Sequence, residues 1–325
     1  MAEKGKPKCG LFRNGTFVEE AELSPQKFLL DFPKGAYTTL LSRDGKVVDW
    51  ELHLQRLNRS VALLAQETPQ AYEHCLQWAQ NKDAALEVLV NSKISSHAEK
   101  SLEACNNFLE KCSVRMIVIL VVDGADANLD AAKGPPLDVL VYAKNFEEFP
   151  KPPCDVYVLG GPRSIHEAKH SQWVLDRRPL ESLKPEGFHE VILSTDNGGL
   201  LEGLVTNFFV VAGTGKEAKL ITASISDGVL GGTMRKRVIQ GAISLGVPVV
   251  ETPPRSDEID TWSEAFLTNS VIGIRSVRRI VCPKDKTSMT DWERILPSPE
   301  GPVAAALADE VLSHQTMAFM DDMSS

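Results

Sequence analysis

Residues 114–122, VRMIVILVV, constrain this chain more than any other stretch. The uninterrupted apolar run inside it, 116–122, is far too short to span a bilayer, which takes about 20 residues. It shows little alternation between polar and apolar positions, so it reads as a strand buried on both faces. A helix begins near Glu51, where Leu52, Leu54, Leu57, Val61, Leu63 and Leu64 recur at mostly helical spacing. The chain has 325 residues, 43% hydrophobic and 24% charged, which suits one large or two ordinary domains and argues against disorder.

Around that strand the sequence reads as α/β. Residues 36–42 and 46–50 form strands joined by Arg43-Asp44-Gly45, where glycine accepts a positive φ. Residues 70–112 read as mainly helical, with polar breaks around 92–97. A polar loop, 123–136, leads to a strand at 137–142. Residues 145–153, NFEEFPKPP, mix proline with charge and make the best linker. A small N-terminal α/β domain over 1–148 and a larger domain over 149–325 are therefore expected. Beyond the linker, 156–160, 190–195, 219–222, 247–251 and 265–268 read as strands. Residues 200–211 read as one strand that returns against 190–195 through Asp196-Asn197-Gly198-Gly199. Residues 233–245 form an amphipathic helix closed by Gly246, and the tail from Pro297 is mostly helical.

The charge sum of −9 disfavours non-specific nucleic-acid binding, which needs a basic face. The six cysteines show no CxxC spacing and no accompanying histidine cluster, so a metal centre or a disulfide framework is not expected. Reduced thiols and the lack of an apolar leader in the first fifteen residues suggest a cytoplasmic protein without a membrane partner.

Four features could carry chemistry. Glu202 lies between apolar runs in LLEGLVTNFFVV, so its carboxylate needs a cationic partner or an open strand face. Taken alone, it is more often an edge-strand residue paired with an arginine. Gly231-Gly232-Thr233-Met234 leads into a helix, an arrangement that binds anions through free N–H groups, although many such turns only cap helices. His53 and Arg56 share a helix face at i, i+3, and Arg56 could reach a phosphate; by itself it is an ordinary surface arginine. Lys169, between His166 and His170 and before Trp173, could be a partly desolvated amine nucleophile, whereas most lysines are simply exposed. Together these are the parts of a pyridoxal 5′-phosphate site: an amine for the aldehyde, a carboxylate for the pyridine nitrogen, and donors for the phosphate.

In this order the motifs resemble the class IV aminotransferases, the fold-type IV pyridoxal-phosphate enzymes. That group includes branched-chain and D-amino-acid aminotransferases and aminodeoxychorismate lyases. The resemblance runs from about Gly35 to Val277 through GAYTT, DGKVVDWELHLQRL, AKHSQW, EGLVTNFFVV, LITASISDGVLGGTMR and EAFLTNSVIGIRSV. It implies a D-amino-acid-aminotransferase-like fold, an α+β small domain plus a larger α/β pseudo-barrel domain, with the cofactor between them in a homodimer. It implies that Lys169 forms the internal aldimine and moves the proton, and that Glu202 holds the pyridine nitrogen. Arg56, Thr233, Met234, Ser270 and Val271 would bind the phosphate, Tyr37 would face the substrate, and Asn207 would support strand geometry. The implied activity moves an amino group between an amino acid and a 2-oxo acid. A lyase that uses the same lysine for elimination, or a non-catalytic paralogue acting as a binding protein, are the alternatives. Three departures from the family pattern stand out: Trp173 and Val174 four and five residues after the lysine, and Leu204 after Gly203.

Overall fold

The computed structural model describes residues 6–80, 86–124, 135–148, 151–284 and 290–318. They fall into two compact units. One lies within Met1–Glu148, Ala168–Asp176 and Thr316–Ser325, the other within Phe149–Glu167 and Arg177–Gln315. The chain thus passes between units more often than a single boundary at 148/149 implies, and the lysine segment belongs with the first unit.

In the first unit, β1 (Cys9–Arg13) and β2 (Thr16–Glu19) form a hairpin whose turn, Asn14-Gly15, has positive φ at both residues. This hairpin is not among the elements expected above. Helix α1 (Pro25–Asp31) is capped by Ser24, whose Oγ accepts from Lys27 N–H at 3.1 Å. Strands β3 (Ala36–Arg43) and β4 (Lys46–Val48) turn at Asp44-Gly45, with φ of 48° and 77°, as a type I′ hairpin requires. Helices α2 (Trp50–Glu67), α3 (Glu73–Gln80) and α4 (Leu86–Phe108) follow, then β5 (Val114–Asp123) and β6 (Leu137–Asn145). The polar break expected at 92–97 does not occur: α4 runs through it. Ile94, Ala98, Leu102 and Cys105 recur on one buried stripe, and packing along it outweighs the local polarity. The expected loop at 123–136 falls largely outside the described residues.

The sheet order is 317–318, β4, β3, β5, β6, β1, β2. Strand β5 lies at the centre and is buried on both faces, as its sequence requires. Val118, Leu120 and Val122 pack with Phe28, Tyr37, Tyr142 and Val174. Ile117, Ile119 and Val121 are also fully buried, with α2 packed on β3 and α4 on β6. Residues 168–176 end in a turn of helix, α5 (Trp173–Asp176), which packs against α1.

The second unit contains β7 (Cys154–Val158), α6 (Arg178–Leu183), β8 (Glu190–Ser194), β9 (Leu200–Gly203) and β10 (Asn207–Ala212). After these come β11 (Lys219–Thr222), α7 (Thr233–Ser244), β12 (Val249–Glu251), β13 (Trp262–Asn269), β14 (Gly273–Pro283), β15 (Thr290–Ile295) and α8 (Pro302–His314). Strand pairing runs β10-β13-β14-β7-β8-β9 and back to β10, closing a barrel of six strands. Closure removes exposed edges from these strands. Alternation along β10 sorts the two cores: Phe208 and Val210 join the barrel interior, while Phe209 and Val211 pack under α7 and α8.

Residues 200–211 are two strands, not the single one expected. Gly203 N–H donates to Thr206 O at 2.8 Å and reverses the chain at 204–206. The buried carboxylate of Glu190 accepts from Val205 N–H (3.3 Å) and Thr206 Oγ1 (3.1 Å) and fastens the corner. A Cβ at position 203 would stand 2.1 Å from Thr206 Oγ1, so only glycine fits there. The corner sets Asn207 opposite Glu202.

Glu264, buried on β13, caps α8 by accepting from Val303 N–H (3.1 Å) and Ala304 N–H (2.8 Å). Glu264→Ala strands both donors and should lower stability by about 1–3 kcal/mol in a denaturant titration. Wild-type stability in this variant would show that the cap contributes nothing.

Candidate active site

Lysine and arginine share one scaffold in the first unit. Residues 169–171 run alongside the start of β3: Tyr37 N–H donates to Lys169 O (2.9 Å) and Ser171 N–H to Gly35 O (2.9 Å). On its other side, Lys169 N–H donates to Ser60 Oγ (3.0 Å), whose hydroxyl donates to Arg56 O (2.8 Å). One hydroxyl therefore ties the lysine backbone to the turn of α2 that carries Arg56. Lys169 is half-buried, and its Nζ lies 4.7 Å from the centre of the Tyr37 ring, whose face attracts a cation.

Arg56 Nη2 donates to Thr38 Oγ1 (2.7 Å), and Thr38 Oγ1 lies 2.8 Å from His53 Nδ1. A guanidinium only donates, so Thr38 accepts from Arg56; Arg56 Nη2 also faces His53 Nδ1 at 3.4 Å, which makes that nitrogen an acceptor and the recipient of the Thr38 proton. The imidazole is then neutral, with its proton on Nε2. Burial, followed by the charges of Arg56 and Lys169, holds His53 well below the usual imidazole range. Burial pulls Arg56 down to about 10, against the opposing influence of Tyr37, and the guanidinium stays charged at neutral pH. Its Nε is buried with no hydrogen-bond partner among the described residues. A buried donor without an acceptor is costly, so this atom suits an incoming anion.

In the second unit Glu202 is buried on β9. Its Oε2 accepts from Leu230 N–H (3.0 Å) and Asn207 Nδ2 (3.3 Å), and its Oε1 lies 3.4 Å from Arg163 Nη1. The sequence requirement for a cationic partner is met by Arg163, although β9 is a barrel strand and not an edge. Asn207 also donates to Leu230 O (2.9 Å), holding the loop before α7 against the strand corner.

Thr233 and Met234 open α7, whose N-cap, Gly232, supplies no side-chain hydrogen bond. A Cβ on Gly232 would stand 2.1 Å from Asn207 Oδ1, so the backbone here is bare. The Met234 side chain packs among Phe209, Val238 and Phe266. Ser270 and Val271 lie between β13 and β14. Val271 N–H (2.9 Å) and Ile272 N–H (2.8 Å) both donate to Asn269 Oδ1, so a ligand on the Val271 amide would have to displace Asn269. Val174 is part of the first unit's core, Trp173 is buried at the start of α5, and Leu204 is buried at the strand corner.

Arg163, Thr38, Glu190 and Asn269 were not singled out from sequence. Only Arg163 had a signal, the need of Glu202 for a cation, and that need does not say which arginine. Among the described residues no group of His, Cys, Asp and Glu is placed to hold a metal ion, and no helix is long and apolar enough to cross a membrane.

Folding keeps His53 neutral, so as pH falls below about 6.5 the unfolded chain takes up its proton first. Its contribution is whole above that pH and is lost on acidification, by up to about 1.4 kcal/mol per pH unit. His53→Gln can still accept from Thr38 but cannot titrate. Its melting temperature should fall less steeply than wild type between about pH 6.5 and 5. An unchanged slope would contradict a neutral buried His53.

The family model for amino-transferase class IV matches residues 35–280. A probable branched-chain-amino-acid aminotransferase of Thermotoga maritima is 41% identical over 122 residues, 38% of this chain and 41% of that protein. The mitochondrial branched-chain-amino-acid aminotransferase 1 of Arabidopsis thaliana is 30% identical over 131 residues, 40% of this chain and 33% of that protein. The matched stretches thus span less than half the length of these two relatives. A hypothetical aminotransferase from Mycobacterium tuberculosis, solved in a PLP-bound form, superimposes with a TM-score of 0.62 at 16% identity, covering 94% of this chain and 98% of that one. That likeness shows the shared fold. With a family match across most of its length, a closed six-stranded barrel and a half-buried lysine clamped to β3, the chain belongs to the class IV amino-transferases.

Proposed function

We propose that this protein is a pyridoxal-phosphate-dependent transaminase that moves an amino group between an amino acid and a 2-oxo acid. The observation that carries the reading is Lys169. Its backbone is fixed on both sides while its amine stays half-buried over an aromatic face. The residues present fit the cofactor. Arg56 Nε is a buried donor in want of an acceptor, and the start of α7 is bare backbone at Gly232 with no side chain capping it. Lys169 would take the aldehyde, Glu202 the ring nitrogen, and Arg56, the Thr233 and Met234 amides and Ser270 the phosphate, with Val271 joining if Asn269 yields. Pyridoxal phosphate, when bound, supplies an aldehyde that captures amines and a ring that draws electrons from the adjoining carbon.

The chain's own groups divide the rest of the work. The Lys169 amine, once released, is the base that moves a proton on the substrate carbon. Tyr37 holds that amine from below while it is charged. Glu202, kept in place by Leu230 and Asn207, holds a proton at the ring nitrogen. Arg56 is the formally charged group of the phosphate set, and the neutral His53–Thr38 pair orients it without adding competing charge. The names of the Thermotoga and Arabidopsis relatives support branched-chain amino acids as the substrates to try first. A homodimer belongs to the same proposal.

The protein should purify yellow, and the colour should shift when leucine, isoleucine or valine is added without oxo acid. Borohydride reduction and peptide mapping should place the label on Lys169, and Lys169→Ala should take none. A label on any other lysine would overturn the assignment. Glu202→Gln should keep the cofactor but slow the half-reaction by a few kcal/mol in barrier, roughly a hundredfold or more. Turnover at the wild-type rate would make Glu202 a structural residue.

A further inference from the structure

A buried guanidinium flanks the carboxylate proposed to hold the cofactor ring. Arg163 Nη1 lies 3.4 Å from Glu202 Oε1, and the two side chains are 5% and 4% exposed. The opposite oxygen, Oε2, already takes two donors, Leu230 N–H and Asn207 Nδ2. Arg163 thus stands on the Oε1 side of the carboxylate. So little water reaches this pair that the charges are weakly screened.

A full positive charge there acts in two ways, both in the same direction. It stabilises the carboxylate as an anion, which weakens its hold on a shared proton. It also opposes a second positive charge at the ring nitrogen that Glu202 would grip. We propose that Arg163 is a positioning residue that acts through Glu202, keeping its carboxylate in place while moderating how firmly it holds a proton at the ring nitrogen. This rests on the reading of Glu202 given above. It adds a control on how strongly the ring withdraws electrons, set by a residue that need not touch the substrate.

The neighbouring charged groups are occupied elsewhere. On β8, Glu190 takes the donors of the 204–206 corner and feels Arg177, which is itself paired with Glu181. At the start of α7, Arg235 donates to Ala223 O and pairs with Glu251. Strand β10 carries no titratable side chain. Among the described residues of this unit, Arg163 is the cation placed against Glu202.

The test is the pH midpoint of the visible band of the bound cofactor in purified holoprotein. A protonated ring makes the lysine-linked nitrogen beside it give up its proton at lower pH. Glu202→Gln, which cannot hold the ring proton, should raise the midpoint. Arg163→Met should lower it by about one pH unit, and Arg163→Lys, which keeps the charge, should stay near wild type. In the Glu202→Gln background, Arg163→Met should change nothing further. Arg163→Gln serves as the second neutral variant if Arg163→Met does not fold. If Glu202→Gln leaves the midpoint alone, the reading of Glu202 fails. If Glu202→Gln shifts it while neutral Arg163 variants do not, or shift it the same way, the proposal for Arg163 is overturned and the reading of Glu202 stands.

Discussion

Burying the carboxylate of Glu202 obliges the second unit to bring donors to it from three separate stretches of chain. Arg163 comes from the segment after β7, Asn207 from the far side of the strand corner, and the Leu230 amide from the loop before α7. An ionised group at such depth without partners would cost several kcal/mol. Much of the local architecture can be read as the solution to that cost. The corner at 204–206 exists because Gly203 lets Thr206 close on Glu190, and the corner is what carries Asn207 back to Glu202. Asn207 then donates to Leu230 O and fixes the loop whose end becomes the bare N-terminus of α7. The carboxylate and the bare helix start are thus two ends of one hydrogen-bonded chain.

The first unit holds the candidate lysine, Lys169, by its backbone and leaves its half-buried side chain out of that fastening. Ser60 accepts from Lys169 N–H and donates to Arg56 O, so helix α2 and the lysine segment share one fastening point. The same helix presents Arg56, whose orientation comes from Thr38 on β3 and, behind it, neutral His53. A charged histidine there would put another cation against Arg56 and Lys169. Burial and those two charges together prevent it.

What the sequence made legible were features with short range or strong periodicity. The doubly buried β5, the Asp44-Gly45 hairpin, the α2 stripe and the helix closed by Gly246 follow from patterns within a few residues. The Asn14-Gly15 hairpin carried an equally clear signal that the α/β reading of the first half passed over. The break at 204–206 was hidden because apolar residues continue straight through it. Its cause, Glu190, lies on another strand. The supposed break in α4 shows the reverse error, with local polarity given more weight than a buried stripe. For the candidate site, residue types in order put forward Lys169, Glu202 and Arg56. The residues that hold them were not readable, because Thr38, Ser60 and Arg163 are joined to them by contacts that cross elements.

The departures from the family pattern take on physical meaning in this light. Val174 packs with Phe28, Tyr37 and Tyr142, so a polar or larger residue there would disturb the core beneath the lysine segment. Leu204 is buried at a corner whose geometry is set by Gly203, Glu190 and Thr206, and its N–H donates to Val191 O at 3.2 Å. Both side chains thus serve packing at the elements that hold Lys169 and Glu202. Asn269 is of another kind. Its side chain takes the amides of Val271 and Ile272, while Lys151 Nζ donates to the carbonyl of Ile272 at 3.0 Å, so the loop after β13 is satisfied from within. An anion seeking those amides must compete with a neutral acceptor already in place. Under the proposed function, the fixed charge for a phosphate would then fall more heavily on Arg56, and the bare backbone on the first turn of α7.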